Sequence, residues 1–159
     1  MVNAAESEST GVFDLVFGLP VHPLVVHAAV VLVPLVAIAA IAMAIKPAIS
    51  RKYGAVIIGL AVIAQLSSIA AKQSGEALLQ RLEIDIERHV SFGENAPLTS
   101  LPLLVAVILL YRIDKKRTGG SSRKLIAGLT VLAALFAAGY MALTGHSGAE
   151  AVWSWVKFN

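Results

Sequence analysis

Long runs of apolar residues dominate the pattern of this chain. Four of them, at 21–45, 53–71, 97–113 and 125–143, approach or exceed the roughly 20 residues that a helix needs to cross a bilayer. The third carries Pro102 near its start, so it is predicted to begin as a loop or as a proline-led helix inside the bundle. The pattern therefore predicts an all-α fold, a bundle of four transmembrane helices.

A further periodic segment, "SGEALLQRLEIDIERHVSF", lies between the second and third runs. Its apolar residues recur at Leu79, Leu82 and Ile86, and the same stripe continues to His89. Charged residues occupy the opposite surface. The segment is therefore predicted to form an amphipathic interfacial helix in the outer loop between helices 2 and 3, with His89 facing the bundle.

Composition agrees with a membrane protein. Hydrophobic residues make up 57% of the 159 residues, and only 14% are charged. The absence of cysteine excludes disulfides, thiolate ligands and covalently attached haem. No basic residue occurs in the first twenty, so a cleavable signal peptide is not expected. The predicted organisation is an extracytoplasmic N-terminal tail (1–17), a single membrane domain (18–156) and a short C-terminal end (157–159).

Basic residues are distributed unevenly over the loops. Nine of the 13 lie between spans 1 and 2 or between spans 3 and 4, where Asp114 is the only acidic residue. The other side holds four basic residues and the remaining nine acids. The positive-inside rule therefore predicts that both termini lie outside the cytoplasm. The net charge of +3 follows from this topology, and no nucleic-acid partner is expected.

All four histidines fall on one predicted side of the membrane. His22 and His27 lie at the start of span 1, His89 lies in the loop segment, and His146 follows span 4. Pro23 fits the first helical position, so His22 is expected just outside the helix and His27 about one turn inside it. Five positions correspond to about 140° around a helix, so His22 and His27 are not expected to chelate from one face.

Small residues precede His146 at helical spacing. Ala142 lies at i−4 and Gly139 at i−7, so the face below the imidazole lacks bulk. This face could admit a flat group, or it could allow close helix packing, and both interpretations remain open. On the first interpretation, His27 is expected to point into the bundle towards His146, with His22 at the rim.

Imidazoles at the edge of an apolar bundle can ligate haem iron, zinc or copper, or hydrogen-bond a quinone. Haem b is the preferred cofactor because it needs no cysteine and takes histidines from facing helices. Zinc or copper is the alternative. No catalytic triad or phosphate-binding glycine loop occurs, so an electron-transfer or accessory protein is favoured over an enzyme. The candidate cofactor-binding residues are His22, His27, His89, His146, Gly139 and Ala142, and the four histidines are also the candidate metal ligands.

Two motifs carry a resemblance to a known family. "LPVHPLVVH" and "LTGHSGAEAVW" resemble the His-Pro-x-x-x-His opening and the Thr-Gly-x-x-Gly closing segment of a bacterial membrane family known as domain of unknown function 2231. The resemblance covers residues 18–156 and implies a location in the bacterial plasma membrane. Some relatives are linked to redox domains, which implies an association with electron transfer or the respiratory envelope.

Two functions follow from these observations. The first is a membrane redox protein that binds haem b near its extracytoplasmic face and passes electrons to a membrane or envelope partner. The second is a non-catalytic accessory subunit of a larger membrane complex, such as a respiratory one, in which the histidines anchor the loop helix. The expected partners are the lipid bilayer and either a membrane redox complex or further copies of the chain.

Overall fold

The computed structural model describes residues 15–80, 86–117 and 119–153. They form a two-stranded hairpin followed by four helices, each long and apolar enough to cross a membrane. The predicted four-helix, all-α membrane fold is confirmed. The elements are β1 (Leu15–Val16), β2 (Leu19–Pro20), α1 (Val21–Ile45), α2 (Pro47–Leu79), α3 (Glu87–Lys115) and α4 (Ser121–Trp153).

The helices form an up-down-up-down bundle. Each helix packs on the next, α4 closes against α1, and α1 approaches α3 across the diagonal. Lys46 alone separates α1 from α2, and α4 begins soon after α3 ends, so the basic residues around both connections lie at one end of the bundle. We call this the basic end. The opposite end, where α1 and α3 begin and α2 and α4 end, is the histidine end.

Small side chains fill the centre of the bundle. On α1, Ala29, Ala37 and Ala40 are buried, whereas Leu35 and Ile38 are exposed on the outer face. Lipid is as apolar as leucine, so membrane helices associate through close packing of small residues and leave larger apolar side chains to the acyl chains. The direction in which α1 faces is therefore set by its small residues.

A buried ion pair ties three helices together at the basic end. Nε of Arg123 on α4 donates to Oδ1 of Asp114 on α3 at 2.7 Å, and Asp114 is only 3% exposed. Nη2 of Arg123 also donates to the carbonyl oxygen atoms of Met43 and Ala44, at 3.3 and 3.1 Å. These carbonyls lie in the last turn of α1, where helical carbonyls lack partners within the helix.

The loop between the second and third spans differs from its prediction. Residues 74–79 belong to α2 and residues from Glu87 onward belong to α3, so a separate interfacial helix is not confirmed; residues 81–85 lie outside the described part of the chain. The 33 residues of α2 span about 50 Å, well beyond a hydrocarbon core of about 30 Å, so α2 is long enough to cross a membrane and extend past it. Of the two alternatives for the start of the third span, the structure has a helix, but this helix begins at Glu87 and contains Pro97 and Pro102 in its interior.

Candidate histidine site

His22 of α1 is held by the end of α2. α1 begins at Val21, so His22 lies inside the helix rather than before it as predicted. Its Nδ1 lies 3.0 Å from the carbonyl oxygen of Ala71 and 3.3 Å from Oγ of Ser74, and the side chain is half-buried. A carbonyl oxygen can only accept a hydrogen bond, so Nδ1 of His22 carries the proton.

His89 of α3 is held by the end of α4 in the same manner. Its Nδ1 lies 3.1 Å from Oγ of Ser147. Oγ of Ser147 donates its own proton to the carbonyl oxygen of Thr144 at 2.8 Å. This carbonyl is the closer of the two partners of the hydroxyl, so we assign the Ser147 proton to it and the donor role towards Ser147 to Nδ1 of His89.

A glycine lies against each imidazole. A Cβ atom added at Gly75 would lie 3.1 Å from Cε1 of His22, and one added at Gly148 would lie 2.9 Å from Cε1 of His89. Both distances are shorter than ordinary carbon–carbon contacts of about 3.5 to 4.0 Å. Each ring therefore occupies space that only glycine leaves free.

The two halves of the bundle thus build the same unit. In each half, a histidine near the start of the first helix meets a Ser-Gly pair near the end of the second, and these two dipeptides are the only Ser-Gly pairs in the chain. The rings of His22 and His89 lie 6.2 Å apart between centroids, with an angle of 70° between their planes. The site is therefore formed by one imidazole from each half.

Both imidazoles present the same nitrogen to ligands. Nδ1 of each ring is engaged with the neighbouring helix, and within the described residues Nε2 of neither ring makes a hydrogen bond. A neutral imidazole protonated on Nδ1 has a lone pair on Nε2, which can bind a metal or accept a proton. Each ring can therefore supply one nitrogen ligand.

The other two histidines lie elsewhere, which corrects the expectation that His27 points towards His146 inside the bundle. His27 is exposed, and its Nδ1 is hydrogen-bonded to the carbonyl oxygen of Pro23 on the same helix. The side chain of His146 is 65% exposed, and its Nε2 lies 3.2 Å from a carboxylate oxygen of Glu150. As the five-residue spacing predicted, His22 and His27 lie on different faces of α1.

The expected pocket beside His146 also needs correction. Gly139 and Ala142 are exposed on the outside of α4, and a Cβ atom added at Gly139 would meet no atom within 4 Å. The small face below His146 therefore points away from the bundle. Its small residues do not enclose space between helices.

Sequence reasoning missed the residues that orient the rings. Ser74, Gly75, Ser147 and Gly148 were not singled out, although the repeated Ser-Gly dipeptide was visible in the sequence. No group of three or more His, Cys, Asp or Glu side chains able to hold a metal ion occurs among the described residues. Any metal centre built from these residues would rest on His22 and His89.

Fold and site together define a multi-pass, all-helical membrane protein with a pair of imidazoles at one end of a four-helix bundle. The chain belongs to the family described as "Predicted membrane protein (DUF2231)", which it matches over residues 18–156. The resemblance found in the sequence is thereby confirmed. No curated protein and no solved structure matches the chain.

Proposed function

We propose that this protein is a membrane electron-transfer protein that binds haem b between His22 and His89. The observation that carries the proposal is the pair of equivalent units that present both imidazoles with Nδ1 protonated and Nε2 available. Histidines that ligate metals usually donate Nδ1–H to a carbonyl, carboxylate or water, which fixes the ring and raises the basicity of Nε2. Here the acceptors next to Nδ1 are the carbonyl oxygen of Ala71 and the hydroxyl of Ser74 for His22, and the hydroxyl of Ser147 for His89.

The distance between the rings is compatible with both imidazoles holding one metal ion. Each bond between a metal and an imidazole nitrogen is about 2 Å, which puts the centroids of two opposed rings about 6 Å apart. The rings of His22 and His89 are 6.2 Å apart. The ligand pair proposed here therefore replaces the pair His27 and His146 that the sequence favoured.

Haem bound in this way supplies one-electron chemistry. With both imidazoles bound to the iron, the site would favour electron transfer over binding of a substrate at the metal. His22 and His89 would hold the group, Ser74 and Ser147 would orient the rings, and Gly75 and Gly148 would leave them room. The electron partner is a membrane or envelope protein.

We place the protein in the bacterial plasma membrane with the histidine end outside the cytoplasm. Support comes from the nine of 13 basic residues at or next to the basic end, because positively charged loops are retained on the cytoplasmic side. Both termini are then extracytoplasmic, and electrons would enter and leave the site at that face.

An absorption spectrum tests the proposed cofactor. The protein is expressed with ample haem supply, purified in mild detergent and measured before and after reduction, with parallel analysis for zinc and copper. We expect sharp, low-spin, b-type bands and about one haem per chain. A colourless protein that also fails to bind added haemin would overturn the proposal. One zinc or copper ion per chain would then indicate a compact metal site, and a metal-free protein would favour the accessory role.

A further inference from the structure

The hairpin before α1 has an unusual residue at its turn. β1 and β2 pair in an antiparallel register, Val16 with Leu19, so Phe17 and Gly18 form a two-residue turn. Their φ angles are 52° and 80°. Turns of this kind favour Asn, Asp or Gly at the first central position, because the left-handed conformation brings a larger side chain close to its own backbone. Phenylalanine is therefore kept there at a conformational cost.

Contacts with the described residues of the chain do not explain this phenylalanine. The side chain of Phe17 is fully exposed, at 101%, and Leu19 beside it is 60% exposed. No residue of the hairpin sequence "LVFGLP" has a polar side chain. Backbone strain that packing does not explain is a sign of function.

The position of the hairpin indicates what Phe17 meets. β2 ends at Pro20 and α1 begins at the next residue, so the hairpin lies where the first span enters the membrane. In the first turns of α1, Leu24 is 57% exposed, on the outer face that continues to Val31 and Ile38. At the same end of the bundle, Trp153 on α4 is also exposed. Tryptophan and tyrosine are enriched at this level of membrane proteins, and phenylalanine and leucine form the inserted face of segments that lie in the interface.

We infer that the hairpin is a membrane-interface anchor whose turn inserts Phe17 among the lipid headgroups and upper acyl chains at the histidine end. The apolar hairpin runs directly into α1, where the exposed Leu24 begins the lipid-facing surface, so we take lipid as the occupant of the exposed face of the hairpin. The inference is independent of the proposed cofactor, because none of its residues belongs to the histidine site.

Fluorescence in vesicles tests this inference with the full chain. Phe17→Trp is made in a background in which Trp153 and Trp155 are replaced by phenylalanine, and the protein is reconstituted alone in phosphatidylcholine vesicles. Bromine atoms are placed either near the headgroups or deep in the acyl chains of the lipid. Val31→Trp in the same background is the control for a deep, lipid-facing position, since Val31 is 62% exposed near the middle of α1.

We expect headgroup-proximal bromine to remove at least about half of the emission of Phe17→Trp, and deep bromine to remove less. The control should show the reverse order. Leu19→Trp repeats the measurement should tryptophan at the turn prevent folding. The inference would be overturned if aqueous acrylamide quenched the indole at position 17 fully and brominated lipid did not. The same criterion applies to Leu19→Trp if that variant has to be used. A surface that binds a protein partner would remain exposed to water in these vesicles, which contain no other protein. That result would therefore favour a protein partner as the occupant of the turn.

Discussion

Oγ of Ser147 lies 3.1 Å from Nδ1 of His89, and this contact joins the end of α4 to the start of α3. The serine has already donated its proton to a carbonyl of its own helix. Oγ of Ser147 therefore accepts the hydrogen bond from Nδ1 of His89. A single hydroxyl thereby fixes both the orientation of the imidazole and the nitrogen that remains available to a ligand.

Replacement of Ser147 by alanine should weaken the site without removing a ligand. The ring of His89 loses its acceptor and can rotate, and loss of such a partner typically costs 10- to 100-fold in affinity for a metal centre, so we expect about that loss for haem. Titration of the haem-depleted protein with haemin measures the change. Ser122→Ala, at an exposed position of α4, is the matched control. Equal affinities for the two variants would show that Ser147 does not position His89.

The glycines make a second, purely steric prediction. Gly148→Ala places a methyl group 2.9 Å from Cε1 of His89, so the ring must move and haem binding should fall at least about tenfold. Gly139→Ala meets no atom within 4 Å and should leave binding unchanged. It should also raise stability by up to about 1 kcal/mol, because alanine is the better helix former. Similar binding losses in the two variants would contradict the close fit of ring and glycine.

At the basic end, Asp114→Asn should destabilise the bundle. The substitution leaves the guanidinium of Arg123 without its carboxylate in a largely buried position, where breaking an ion pair costs about 3 to 5 kcal/mol. The side chain of Arg123 is 18% exposed and retains two carbonyl acceptors, so we expect a cost near 3 kcal/mol. Denaturation in detergent measures it, with the exposed Lys124→Gln as the control. A loss below about 1 kcal/mol would assign the pair no major role in stability.

Much of the fold could be predicted because lipid imposes simple rules. Each span needs a long apolar helix, and the short connections made neighbouring helices antiparallel. The continuation of α2 to Leu79 was not predicted, because an amphipathic stripe has the same period whether it lies on lipid headgroups or continues the inner face of a long helix. The length of the amphipathic segment does not distinguish a separate interfacial helix from the continuation of a membrane-spanning one.

The pairing of His22 with His89 depends on how far α1 is rotated about its axis. His22 lies seven positions before Ala29 and shares its inward face, whereas His27 lies on the same face as Val31, which is exposed. The interpretation of the sequence ranked the histidines by their depth in the helix. It did not use their angular position around the helix axis. In a membrane, small residues mark the inner face of a helix, so the alanines of α1 could have selected His22.

Orientation in the membrane can be tested with single cysteines in this cysteine-free chain. Gln80→Cys lies at the end of α2, on the histidine side, and Ser122→Cys lies on the basic side; both positions are exposed. With the histidine end outside the cytoplasm, a membrane-impermeant maleimide added to intact cells should label only Gln80→Cys. Both variants should react after the cells are opened. Labelling of Ser122→Cys alone in intact cells would reverse the topology.

The reduced-minus-oxidised spectrum of four single histidine variants tests the central claim most directly. His22→Ala and His89→Ala each remove one proposed axial ligand, so each should convert the iron to high spin or lose the haem. His27→Ala and His146→Ala change exposed side chains outside the site, so each should keep the low-spin b-type spectrum of the unaltered protein. A low-spin spectrum that survives in His22→Ala or His89→Ala, or is lost in His27→Ala or His146→Ala, would contradict the assignment of the two ligands.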